Sequence, residues 1–220
     1  MNYRAVIFDL DGTIIDTEPL WEQATIQMLA SRGVTFNQKI KDDLQKEMKG
    51  IGLKIACARL REALGLEEPV DNLIQDLVAI SYERYAQGIQ FISGFKEFHK
   101  KISDLNLKKG IATNATLHTL NQAKTSLKLD TYFGSHMYCL EHVGNVGKPD
   151  PAIFIHTAEK LGVEPKDCIV IEDSNCGIKG AKKAGMLTIG INTAKNREFI
   201  NQADIIVESY KGIDLELLSL

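Results

Sequence analysis

The chain has 220 residues, 44% hydrophobic and 25% charged, with 26 Lys and Arg against 29 Asp and Glu for a net charge of −3. Those proportions fit a globular chain and exclude a disordered, collagenous or coiled-coil one. Apolar runs such as Ala5–Phe8 fall far short of the roughly 20 residues of a membrane helix, and the acidic balance gives no footprint for nucleic acid. Four scattered cysteines (Cys57, Cys139, Cys168, Cys176) form no Cys-x-x-Cys pair and suit a reducing cytoplasm better than a disulfide frame or a zinc site. No charged leader with a long apolar core opens the sequence, so a cytoplasmic location is expected.

Arg4–Phe8 is the first predicted strand, a short β-branched run. From Thr17 to about Ile92 no strand is evident, but three apolar patterns at helical spacing are: Leu20/Trp21/Ala24/Met28/Leu29 ending at Gly33, Leu53/Ala56/Cys57/Leu60/Leu64 ending at Gly65, and Val70/Leu73/Ile74/Leu77/Val78/Ser81/Tyr85. Beyond them strands and helices alternate. Phe95/Phe98/Ile102 marks a helix, Gly110–Thr113 a strand, Leu117/Leu120/Lys124/Leu127 a helix, and His136–Leu140 a weaker strand. Ile153/His156/Leu161, strand Cys168–Glu172, a helix over Ile178–Ala184 stopped by Gly185, and strands Leu187–Ile191 and Ile205–Val207 complete the series. Alternation of this kind predicts an α/β fold with a parallel sheet, formed by residues 1–15 and 94–220. Residues 16–93 then form an inserted all-helical domain, carried on two connecting strands near Ile15-Asp16 and Ser93-Gly94.

The chemistry gathers at strand ends. Asp9 and Asp11 follow the first strand, and side chains two apart in an extended chain point the same way, toward the carboxyl edge where open α/β sheets hold ligands. Glu172-Asp173 ends a later core strand in the same manner. Two acidic pairs on one edge repel unless a cation binds them, and oxygen-only ligands with open positions suit Mg²⁺. Thr113-Asn114, ahead of a helix, offers a hydroxyl, an amide and backbone N–H groups to an anion. Lys148 sits on a rigid segment between Gly147 and Pro149. With Mg²⁺ and Lys148 set against four carboxylates the site is left at about −1, so a phosphate dianion enters more easily if one carboxyl is protonated. Asp11 is assigned that role.

The ordered set Asp-x-Asp-Gly-Thr, Thr-Asn, Lys-Pro and Glu-Asp resembles the haloacid dehalogenase superfamily of phosphohydrolases, and the likeness spans nearly the whole chain. Asp16-Thr17-Glu18-Pro19-Leu20-Trp21, Gly147–Phe154 and Glu172-Asp173-Ser174 narrow it to the subgroup of β-phosphoglucomutase and 2-deoxyglucose-6-phosphate phosphatase. The resemblance implies a Rossmann-like core with a helical cap. It also implies Asp9 as nucleophile forming an aspartyl-phosphate, Asp11 as general acid and then base, and Thr113, Asn114 and Lys148 as phosphoryl ligands. Mg²⁺ would lie on the Asp9 carboxylate, the Asp11 backbone carbonyl and Asp173, with Glu172 in or beside its shell. The mutases of the subgroup carry a histidine in the first cap helix and an arginine after the Lys-Gly of a cap loop. Pro19-Leu20-Trp21 and Lys49-Gly50-Ile51-Gly52-Leu53-Lys54 show neither, which favours water over a sugar as acceptor.

Glu18, Trp21, Lys49 and Gly50 are the candidates for substrate selection where the cap meets the core; an indole stacks on a sugar face and a carboxylate accepts its hydroxyls. Trp21 equally fits the apolar helix face, and Cys176 near a helix start reads as a plain structural cysteine in preference to one with a lowered pKa. A calcium loop lacks its further ligands, and a Walker loop lacks its first glycine and the hydroxyl after the lysine. A phospho-aspartate receiver has no helical insertion and carries its acidic pair ahead of the phosphoacceptor. The expectation is a monomeric Mg²⁺-dependent phosphatase of a small phosphorylated metabolite, most plausibly a sugar phosphate, with a phosphosugar mutase as the alternative.

Overall fold

The first strand, β1 (Ala5–Phe8), is buried over its whole length, as a continuous apolar run in a parallel sheet must be when helices cover both faces. A computed structural model describes residues 3–38, 51–214 and 216. After β1 come β2 (Ile15–Asp16), the helices α1 (Glu18–Ala30), α2 (Leu53–Leu64) and α3 (Val70–Gln87), and β3 (Gln90–Phe91). The chain then runs α4 (Phe95–Asp104), β4 (Lys108–Ala112), α5 (Leu117–Leu127), α6 (Asp130–Phe133), β5 (Met137–Tyr138), α7 (Ala152–Leu161), β6 (Cys168–Glu172), α8 (Asn175–Lys183), β7 (Leu187–Ile191) and β8 (Ile205–Val207).

Six strands pair in the order β5-β4-β1-β6-β7-β8, all parallel. This is the Rossmann-like α/β sheet expected from the sequence. Phe8 is level with Ile111 on one side and Ile171 on the other, so the chain segments that follow leave the sheet at one edge. Alternate residues of β1 serve opposite layers. Val6 and Phe8 join an aromatic cluster with Phe95, Phe98, Phe133 and Tyr210, in which the Phe8 and Phe133 rings meet edge to face at 5.7 Å. Ala5 and Ile7 join Ile153, Phe154 and Val170 on the other face. Each large side chain so buried contributes about 1.5–3 kcal/mol, and it is these two layers that fix β1 and hence the residues at its end.

The helices α1, α2 and α3 bury a core of their own, with Met28, Leu29, Cys57, Leu60, Leu73 and Leu77 at its centre. They connect to the sheet through β2 and β3, which pair antiparallel with Ile15 opposite Phe91. β3 is the second connecting strand, at Gln90–Phe91 rather than at the expected Ser93-Gly94. Tyr82 of α3 also stacks on His118 of α5 at 6.1 Å. β4 starts at Lys108, two residues ahead of the expected Gly110, because its first residues reach the exposed end of the sheet. The Lys108 ammonium is taken up there by the Leu161 carbonyl at 2.6 Å. β5 is shorter than the expected His136–Leu140. Among the described residues no helix is long and apolar enough to cross a membrane.

Candidate active site

Asp9 follows directly on β1, its backbone N–H donating to the Ile171 carbonyl at 3.0 Å, so the β1–β6 ladder holds the carboxylate beside the end of β6. Lys148 is buried and reaches both strands: its ammonium donates to Asp9 Oδ1 at 2.5 Å and to Glu172 Oε1 at 2.6 Å. The lysine is aimed from its backbone, where its N–H donates to Asn114 Oδ1 at 2.8 Å, and its ammonium lies 5.1 Å from the centre of the Phe154 ring.

Glu172 is fully buried. Its second oxygen accepts from the Ser174 backbone N–H at 3.0 Å and the Ser174 hydroxyl at 2.8 Å. Ser174 is in turn the N-cap of α8, accepting from the Gly177 N–H at 3.1 Å. A Cβ at Gly177 would stand 1.7 Å from Glu172 Oε1, so only glycine lets the carboxylate sit there. Asp173 receives the Thr13 hydroxyl at 3.4 Å. Gly12 turns the chain at φ +80, and a Cβ there would fall 2.2 Å from Asp173 Oδ2. Both the turn and the close approach exclude a side chain.

Asp9, Glu172 and Asp173 each place a ligand oxygen within 4.8 Å of the others, a buried acidic group able to hold a metal ion. Three carboxylates against one ammonium leave two negative charges, the complement of a divalent cation, and an all-oxygen donor set suits a hard one. Burial pushes the Asp9 carboxyl well above the ordinary carboxylate range, and the neighbouring Glu172 and Asp173 push it further, against the pull of Lys148. For Lys148 burial acts downward, but Asp9 and Glu172 outweigh it and the group stays charged with its pKa raised.

Asp11 lies past the end of the strand. Thr17 donates its hydroxyl to Asp11 Oδ1 at 2.7 Å. Burial raises the Asp11 pKa, opposed by the Thr17 hydroxyl, the nearby Trp21 side chain and Lys148. A cleft of about 300 Å³ opens over this edge, lined by Asp9, Asp11, Thr113, Asn114 and Asp173 from the sheet and by Glu18, Trp21 and Leu53 from the helices. Thr113 is buried, its hydroxyl accepting from the Ala115 N–H at 3.0 Å. The cap of α5 is not Thr113 or Asn114 but Thr116, which leaves the first two at the cleft.

Residues 9, 11, 113, 114, 148, 172 and 173, scattered along the sequence, therefore meet at one sheet edge. Lys49 and Gly50 lie outside the described residues. Cys176 fits the structural cysteine rather than the reactive alternative, since burial and the nearby Glu172 raise its pKa. Sequence reasoning missed the supporting side chains of Thr17 and Ser174 and the space left by Gly177. Ser174 was within reach as a hydroxyl just ahead of a helical run; nothing local marks Gly177.

A parallel sheet in this order, with its acids at the carboxyl edge and a helical insertion above them, defines the Rossmann-like α/β class of enzymes. Within that class residues 6–191 match the haloacid dehalogenase-like hydrolase family, and the chain belongs to it. It is similar to a phosphorylated carbohydrates phosphatase of Thermotoga maritima, 29% identical over 83% of this chain and 82% of that one. The β-phosphoglucomutase of Bacillus subtilis is 28% identical over 98% of this chain and 93% of its own. Among solved structures, a hydrolase of the same superfamily from Entamoeba histolytica superposes with a TM-score of 0.85 at 22% identity, covering 98% of this chain and 97% of that one, a likeness of fold.

Proposed function

We propose that the protein is a Mg²⁺-dependent phosphatase that releases inorganic phosphate from a small phosphorylated carbohydrate, by way of an aspartyl-phosphate on Asp9. The observation that carries the reading is Lys148 shared between Asp9 and Glu172, at 2.5 and 2.6 Å, beside Asp173. Phosphoryl transfer to a carboxylate needs positive charge at the equatorial oxygens and a nucleophile held in line. The relative of Thermotoga maritima supports the carbohydrate, and the cleft of about 300 Å³ suits a ligand of that size.

In this reading the Asp9 carboxylate, the Asp11 backbone carbonyl and Asp173 would hold Mg²⁺, with Glu172 beside them. The bound ion supplies charge neutralisation at phosphate oxygens. Lys148, Thr113 and Asn114 bind and orient the phosphoryl group. Asp9 attacks phosphorus as the bond to the leaving oxygen breaks, and Asp11 gives that oxygen a proton. Water then attacks the aspartyl-phosphate, passing its proton to Asp11, and the bond to Asp9 breaks to free phosphate. Residues 16–93 act as the cap, bringing Glu18 over the leaving group and excluding water; Lys49 and Gly50 are further candidates for substrate selection. The enzyme is read as a monomer of the cytoplasm, where its four free cysteines stay reduced.

The similarity to β-phosphoglucomutase makes a sugar acceptor the competing reading. Water is favoured because Trp21 occupies the first cap helix where the mutases carry histidine. A panel of phosphomonoesters assayed for phosphate release with and without Mg²⁺, beside an Asp9→Asn control, tests both. Phosphate release that needs the ion and Asp9 supports the phosphatase; conversion of a hexose 1-phosphate into its 6-phosphate without release overturns it.

A further inference from the structure

We propose that Tyr210 is a positioning residue for the insertion: one side chain pins both connections to the core, with its hydroxyl on the way in and its ring on the way out. The inference rests on the phosphatase reading above, in which residues 16–93 open to admit substrate and close over it. Tyr210 starts a short helical turn beyond β8 and is 2% exposed. Its hydroxyl donates to the Thr13 carbonyl at 2.9 Å, across 197 positions of sequence. The connection into the insertion follows Thr13 at once. The ring meets the first residues after the insertion. It lies 5.8 Å from the Phe95 ring and 5.3 Å from the Phe98 ring, and a Cβ on Gly94 would stand 3.3 Å from the Tyr210 Cβ.

On the far side of these two points the connections hold each other. Ile15 pairs with Phe91 in the β2–β3 ladder, and the Ile92 N–H donates to the Ile14 carbonyl at 2.8 Å. Between pin and ladder lie only Ile14 on the way in and Ile92-Ser93 on the way out, so a swing of the insertion is confined to that short stretch while Thr13 and Gly94 stay fixed. The turn at the acidic edge has an anchor of its own, the Thr193 hydroxyl on the Gly12 carbonyl at 2.7 Å. Loss of the Tyr210 hydroxyl therefore slackens Thr13 and the segment after it and leaves Gly12 held. In the arrangement seen here, α3 lies against α5 and Tyr82 stacks on His118. Those contacts already restrain the closed insertion, so the open one gains more conformational freedom from the slack, and the closed share falls.

Tyr210→Phe keeps the ring and removes the hydroxyl. On the ester that the panel selects, KM should rise about fivefold, the scale of one neutral hydrogen bond, because apparent affinity falls with the share of molecules in the binding-competent arrangement. Saturating substrate closes the insertion, so kcat should stay within about twofold. Trp21, the sole tryptophan and part of the cleft wall, gives a readout without turnover: acrylamide should quench its fluorescence more in the variant than in the unaltered protein. A lower melting temperature with KM and quenching unchanged would make Tyr210 a packing residue and overturn the inference. A loss of kcat at constant KM would overturn it too, by placing the effect at the acidic edge through the Thr13 hydroxyl, which reaches Asp173 at 3.4 Å. If the unaltered protein releases phosphate from no ester, the phosphatase reading fails, and the quenching comparison alone decides the pin.

Discussion

Lys148→Met isolates the electrostatics of the candidate site from its chemistry. The side chain is 1% exposed and its ammonium is shared between Asp9 and Glu172. Methionine keeps the stem and an apolar contact with the Phe154 ring but removes the charge. Asp9, Glu172 and Asp173 are then left buried without a cation. Removing one partner of a buried ion pair costs about 3–5 kcal/mol, and for a chain of this size that lowers the melting temperature by on the order of 10 °C. The measurement is thermal unfolding in EDTA at pH 8, repeated at pH 5. In the variant the crowded acids hold protons more tightly when folded than when unfolded, so folding takes up protons and acid stabilises it. The gap to the unaltered protein should therefore narrow at pH 5. A variant melting within about 2 °C of the unaltered protein at pH 8 would refute the reading, because the three carboxylates would not then be paying the cost of burial.

Gly177→Ala forces its Cβ into Glu172, 1.7 Å away at the present geometry. It should destabilise the fold by about 1–3 kcal/mol, as overpacking does, and lower turnover by swinging the carboxylate off Lys148; a melt and a phosphate-release assay read both. Removing divalent metal with EDTA should abolish phosphate release and Mg²⁺ should restore it, with a melting temperature that rises with Mg²⁺ concentration as binding to the folded state requires. His99 is buried among Phe95, Tyr132 and Phe133, and its Nε2 lies 2.9 Å from the Tyr132 carbonyl. Burial lowers its pKa, against the pull of that hydrogen bond, so the unfolded chain takes up the proton first and stability is lost as pH falls below the ordinary histidine value of about 6.5. His99→Gln should make the decline from pH 7 to pH 5 shallower in urea titrations; an unchanged slope would count against the buried neutral imidazole.

The parts of this architecture visible in the sequence are those carried by runs. Ala5–Phe8 and Cys168–Ile171 announce buried strands by composition alone, and the acids after them announce a sheet edge. β3 could be placed only to within a few residues because two residues have no period, and β4 hid its start because Lys108 and Lys109 look like solvated surface until the ladder with Ala5 and Val6 is seen. The same division holds at the site. Asp9, Asp11, Glu172 and Asp173 stand at strand ends and could be read there, as could Thr113-Asn114 ahead of a helix.

What a sequence does not display is which side chains restrain those acids, since each restraint is a tertiary distance. Thr17 stands just ahead of α1, where it reads as an ordinary helix start. Only the approach of α1 to the turn after β1 makes it a donor to Asp11. Ser174 and Gly177 belong to the first turn of α8, and their bearing on Glu172 comes from the strand turning back over its own helix start. The acids supply the negative charge and the fold supplies its restraint. For that reason changes at Gly177 or Lys148 should alter the action of carboxylates that are themselves left intact, and each should do so in a distinct observable: turnover together with stability for the first, and the pH dependence of unfolding for the second.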